Sequence, residues 1–221
     1  HVYTALQERD ALGLKLHLQT DESGDAAELL AGLGAHGHLQ DSFTELAEVA
    51  AELVVTQEAY HHYPVLFFYR FEEPYYSVSS ICLVVLDAVT LIKCALEDGE
   101  YAWLKESAAT AQARRAAVRL VETLMDSFLD GPPEPPAAID PAQEERWRAR
   151  YFAALRRLSQ AEVKIIADTE EGAETYVRLR AEWDYQVAYL APHLGYTMAE
   201  IDPEGSDPAR SDRRAPFEDR M

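Results

Sequence analysis

The chain has 221 residues, with 39 acidic against 20 basic side chains and a formal charge of −19. That charge argues against nucleic acid as a main partner and against an anionic lipid surface, because both would repel it. A hydrophobic content of 48%, with 12 Tyr and 7 Phe, excludes a disordered chain and demands a buried core.

The acid is unevenly placed: residues 1–100 hold 17 acids against 4 bases. Cys82 and Cys94 lie twelve residues apart on one predicted helix, too far along its axis to bond each other. They read as reduced core residues, which suits a cytosolic compartment. No segment reads as a transmembrane helix, since Ser79–Leu96 is interrupted by Asp87 and Lys93. No signal peptide is expected. The chain opens at His1 rather than Met, which raises the expectation of a longer parent polypeptide.

Residues 2–19 fit a helix with Tyr3, Leu6, Leu14 and His17 on one face, although the alternating Leu12, Leu14, Leu16 and Leu18 also suit a strand. Helix is preferred, because almost nothing else in the chain offers a partner strand. TDESGD breaks it, and Asp25 caps a short helix through Leu33. The next helix starts at Asp41 or Ser42, with Phe43, Leu46, Ala50, Leu53 and Tyr60 on one face. It ends near Tyr63, because a residue before proline disfavours helical backbone. VLFFY (65–69) is expected as an irregular or helical connection.

Pro74 suits the first turn of a helix over 75–96, which is apolar nearly all round and therefore central. Residues 101–129 read as one long helix with Leu104, Ala108, Ala111, Arg115, Val118, Val121, Met125 and Phe128 on its stripe. The Pro-rich linker 131–141 is stiff and is expected to carry the chain across a single bundle. A helix over 142–159 turns Trp147, Tyr151, Leu155 and Leu158 inward. One over 170–191 does the same with Tyr176, Leu179, Trp183, Val187 and Leu190, and Pro192 closes it. Residues 202–221 are charged and proline-spotted, and are expected as a flexible tail. The fold class expected is all-α: a single bundle of about six or seven helices over 1–201, wrapped around the apolar helix 75–96.

Asp87 is the most informative single residue. An ionised carboxylate on a buried helix costs several kcal/mol unless paired. Arg70 and Arg115 are its expected partners, in a structural ion pair or a ligand-sensing site. Glu58-x-x-His61, with His62 beside it, has the spacing of a carboxylate-bridged di-iron helix. Such a site needs a second motif, and none occurs, so no metal is expected. The tyrosines around Tyr63 offer either a ligand pocket or core packing with wet hydroxyls. No Gly-rich phosphate loop, Gly-x-Ser-x-Gly, Cys-x-x-Cys or His-Glu-x-x-His is present, so no catalytic residue and no cofactor is expected.

The run E-x-x-x-H-Y-P-V-L-x-F-Y-R over 58–70, followed by an apolar helix containing V-L-D-A, resembles the cytosolic C-terminal region of bacterial pore-loop, potassium-channel-like ion channel proteins. The matching positions are Glu58, Tyr63, Pro64, Val65, Leu66, Tyr69, Arg70, Leu86 and Asp87. RAEWDYQVAYLAPHLGY (180–196) looks like the same region's last helix. Two stretches depart from the pattern: Tyr60 replaces a histidine, and Phe71-Glu72-Glu73 replaces a Ser-Gln-His run. The resemblance implies a non-catalytic helical domain on the inner face of a cell membrane. Pore-forming segments would lie upstream of residue 1, and the chain would assemble as a homo-oligomer. The alternative is a soluble helical module that binds a ligand or a protein at the tyrosine-rich turn.

Overall fold

The computed structural model describes residues 1–202. Among them the chain is all-α, a bundle of ten helices. These are α1 (Val2–Gln19), α2 (Ala26–Leu33), α3 (Gln40–His62), α4 (Val78–Ala95), α5 (Asp98–Lys105), α6 (Ala108–Phe128), α7 (Pro141–Gln160), α8 (Thr169–Ala181), α9 (Asp184–His193) and α10 (Met198–Ile201). Short 3-10 turns occupy Pro64–Phe68 and Pro74–Tyr76, where proline starts each turn without needing an N–H.

The count exceeds six or seven because two long predicted helices are each split and the short α10 follows α9. Ser107 accepts a hydrogen bond from the Thr110 N–H, which starts α6 afresh after α5. Trp183, at φ −134°, leaves the helical region between α8 and α9. Pro192 lies within the last turn of α9 rather than beyond it.

α4 is the axis of the bundle. Every one of its residues except Lys93 is buried, and α1, α2, α6, α7, α8 and α9 all pack against it. By length and composition it would suit a bilayer, but 94% of it is enclosed by its own protein, the signature of a core helix. Each fully buried Val, Leu or Ile there contributes about 1.5–3 kcal/mol of transfer free energy. Cys82 and Cys94 are both free and buried, and burial pushes both thiols well up from their ordinary range. They are inert core residues.

The hydrophobic core is one cluster that draws on helices before and after the 131–141 linker. Among the described residues there is no strand. The nearest approach is one bridge between Leu96 and Ile165, made by Ile166 N–H to Ala95 O at 2.9 Å and Glu97 N–H to Lys164 O at 3.1 Å.

Two buried faces differ from the periodicity. In α1 the inward residues are Ala5, Arg9, Leu12, Gly13 and Leu16, whereas Tyr3 is 79% exposed and Leu14 40%. The helix is turned by its contact with the Pro74–Tyr76 turn, where a Cβ on Gly13 would stand 2.6 Å from the Tyr75 carbonyl oxygen. In α6 the inward residues are Ala109, Thr110, Ala113, Ala117, Leu120, Val121, Leu124 and Met125. Arg115 therefore faces out. Phe43 of α3, expected inside, is 43% exposed.

Gly13 thus looks like a helix weakness in sequence and is a packing requirement in the fold. Gly13→Ala is expected to lower stability by about 1–3 kcal/mol through overpacking, despite alanine's better helix propensity. Denaturant melting of the purified variant checks it.

Candidate functional site

Asp87 sits in the middle of α4 with no exposed surface. Its Oδ1 accepts from the Tyr176 hydroxyl at 2.6 Å and from Arg180 Nη1 at 3.1 Å. Its Oδ2 accepts from Arg150 Nε at 2.8 Å. α7 and α8 thus deliver one guanidinium each, and α8 adds a phenol. The partners expected from sequence, Arg70 and Arg115, are elsewhere. The reason is geometric: the face of α4 that carries Asp87 is covered by the helices beyond the proline linker.

The two arginines are themselves shared. Arg180 Nε donates to Asp184 Oδ1 at 2.9 Å, and its Nη2 to Asp202 Oδ2 at 2.9 Å. Arg150 Nη1 donates to Asp202 Oδ1, and Asp25 stands 3.9 Å from its Nη2. Arg180 also lies 5.2 Å from the Trp183 ring centre and 5.7 Å from that of Trp147. The result is a lattice of two guanidiniums and four carboxylates that ties the N-cap of α2, and α4, α7, α8 and α9, to the residue after α10. Because each guanidinium spreads directional hydrogen bonds over several carboxylates, these contacts hold the helices in register.

Asp202 requires a correction. It was expected to open a flexible tail, yet it is buried and bonded to both arginines. Thr197 and Glu200 form a reciprocal cap at the start of α10, which aims this segment back at the bundle. A chain ending at Ile201 would lose that carboxylate, so such a truncation is not silent. The remainder of that tail, 203–221, lies outside the described residues.

Charge within the lattice is asymmetric. Burial opposes the Arg150 charge, but Asp202 and Asp87 outweigh it and hold its pKa well above the ordinary value. Burial raises the Tyr176 phenol well above its ordinary range, so it stays protonated and donates to Asp87. Burial also raises the Asp184 carboxyl, and Arg180 offsets this only in part. Asp25, Asp87, Asp184 and Asp202 surround the two guanidiniums.

Beside the lattice, between α7, α9 and α10, lies a cavity of about 270 Å³. Its lining includes Arg146, Trp147, Asp184 and Asp202.

The other sequence candidates do not join this centre. Glu58, His61 and His62 lie exposed at the end of α3, with Glu58 and His62 3.9 Å apart. No group of three or more His, Cys, Asp or Glu side chains placed to share a metal occurs among the described residues. Tyr63 is half-buried. Arg70 is about half exposed, 3.4 Å from Glu200 and 5.0 Å over the Tyr196 ring. Arg115 borders an open groove of about 590 Å³ between α3 and α6, whose floor includes Ala47, Ala51, Val54 and Val118.

Sequence reasoning missed Arg150, Arg180, Asp184 and Asp202, and placed Tyr176 without its polar role. A signal existed: Arg180 and Asp184 follow Tyr176 at four-residue steps, and Arg150 follows Trp147 by three. Each therefore shares a face with an inward aromatic residue.

Asp87→Ala is expected to cost about 3–5 kcal/mol, because it leaves two buried guanidiniums without their central acceptor; equilibrium denaturation measures it. The raised Asp184 pKa gives a sign for pH. Its contribution is fully present below the unfolded carboxyl pKa and is lost as pH rises through the higher folded value. The melting temperature of wild type relative to Asp184→Asn should therefore fall as pH rises through and above the ordinary carboxyl range; a difference independent of pH would overturn the assignment. Comparison with protein-family models, with curated proteins and with solved structures gives no match, so the chemistry of this site rests on its own geometry.

Proposed function

We propose that this chain is a non-catalytic cytosolic domain of a bacterial pore-loop, potassium-channel-like ion channel, acting in assembly or in regulation of the pore. The pore-forming segments would lie upstream of residue 1, the domain on the inner face of the membrane, and the working unit would be a homo-oligomer.

One observation carries this reading. The two stretches that resemble such channel proteins, 58–96 and 180–196, are far apart in sequence and are clamped together twice. Asp87 meets Arg180 at 3.1 Å in the core. At the other clamp the Tyr196 hydroxyl donates to Phe71 O at 2.9 Å and accepts from Phe71 N–H at 3.0 Å, while Arg70 covers its ring. The two stretches that carry the resemblance thus pack as one unit.

Regulation through such a domain requires two arrangements of the bundle and a ligand, partner or proton that favours one. The charged lattice suits that task. Desolvated ion pairs are costly to break singly and tolerate few intermediate geometries. α1 packs against α4 and against the Pro74–Tyr76 turn, so it would pass a shift in the core to whatever precedes residue 1.

A second reading, a helical module that binds a partner, is favoured by the α3–α6 groove rather than by the tyrosine-rich turn from which it was first expected. The two are separated by expressing the chain with its native upstream sequence and measuring potassium flux in reconstituted vesicles. The channel reading expects two apolar spans flanking a pore loop upstream, and a flux that Asp87→Asn alters. An upstream sequence without those spans would overturn it.

A further inference from the structure

Apolar side chains left in the open concentrate on one part of the molecule. Among the described residues ten large ones are exposed, and six of them, Phe43, Val54, Val55, Val65, Phe68 and Tyr69, belong to α3 and the stretch just after it. That stretch packs on α6, where Phe67 stacks on Phe128 with ring centres 4.4 Å apart. α3 and α6 therefore share an outward face. The groove of about 590 Å³ runs between them, with Ala47, Ala51, Val54 and Val118 on its floor.

The two helices give this face opposite charges. α6 contributes Arg115 and Arg119, both exposed, and neither has a carboxylate within ion-pair distance among the described residues. α3 carries five acids, Asp41, Glu45, Glu48, Glu52 and Glu58, and no lysine or arginine. Glu48 and Glu52 lie one residue on from Ala47 and Ala51, about 100° round the helix. Lys15 of α1 is shared among Glu45, Glu48 and Glu52, so that side stays acidic. An acidic partner would answer α6 and not α3, and a basic partner the reverse. A second copy, turned about a two-fold axis along the helices, lays its α3 over α6 and its α6 over α3. Each charge then meets its opposite. α3 and α6 are 23 and 21 residues long. Their joint face is about 30 Å by 20 Å, so two copies bury roughly 1,200 Å², the lower end of what a specific interface needs.

We propose that the α3–α6 face is where two copies of this chain associate, as a two-fold dimer joined by a layer of four helices, two α3 and two α6. Val54 and Val118 are covered between the copies. Arg115 and Arg119 of each copy meet Glu48 and Glu52 of the other. The apolar seam supplies the attraction, and the opposed charges fix the register and reject a shifted pairing. The proposal deepens the homo-oligomeric part of the functional reading by naming the surface that makes the contact. Only the consequence of pairing for a pore rests on that reading.

The test is analytical ultracentrifugation of the full chain, with charge reversal on each side of the contact. The wild type should sediment with the mass of two chains. The double variants Arg115→Glu/Arg119→Glu and Glu48→Arg/Glu52→Arg should each dissociate about tenfold more readily or worse, because like charges then face each other twice. An equimolar mixture of the two should restore a particle holding one chain of each, seen by native mass spectrometry, because every glutamate in that pair again faces an arginine. Val54→Asp, which leaves every ion pair of the fold in place, should also give single chains while the circular dichroism spectrum stays helical. It decides the matter if a charge-reversed chain fails to fold. Three results would overturn the proposal: a wild type that stays a single chain up to about 100 μM, a dimer that Val54→Asp leaves intact, or folded charge-reversed chains that do not pair on mixing. Any of them leaves the channel reading standing, because that reading turns on the upstream sequence and on flux.

Discussion

A carboxylate with no access to water sits at the centre of this protein, and the rest of the bundle is arranged to make that tolerable. Asp87 on an apolar helix is unstable by itself, since desolvating an isolated charge costs far more than any one hydrophobic contact returns. Two guanidiniums and a phenol must therefore come from other helices. Each guanidinium is in turn too costly to bury with one partner, so each recruits a further acid. The lattice grows outward from Asp87 through the two arginines to Asp184 and Asp202, which are themselves buried.

This has a structural consequence that apolar packing alone would not produce. Cores of Leu and Val tolerate exchange of hydrophobic residues and lose uniqueness of packing before they lose stability. Shared guanidinium–carboxylate contacts do not, because their geometry is fixed at both ends. α7, α8, α9 and the residue after α10 are consequently locked to the middle of α4, although they lie beyond a stiff proline-rich crossing. The end of the described chain is an integral part of the core, and a change at Asp202 is felt at Asp87 through two arginines.

Much of the fold was legible in the residues themselves. The all-round apolar run of α4, the proline after Tyr63 and the inward Trp147, Tyr151, Leu155 and Leu158 of α7 are statements about local backbone and burial, and local chemistry decides them. The need of Asp87 for a cationic partner was equally legible, because the cost of burying a charge does not depend on the fold. Which arginine answers it was not. Arg70 and Arg115 were near in sequence or lay on an apparent stripe, whereas Arg150 and Arg180 are 63 and 93 residues away. The facing of α1 was also decided by tertiary contact, since Gly13 must admit the backbone of Tyr75. A chain sets which groups must be paired through the energetics of each group. Only the packed structure sets with whom, because pairing depends on which helix faces meet, and those faces are chosen by the whole core at once.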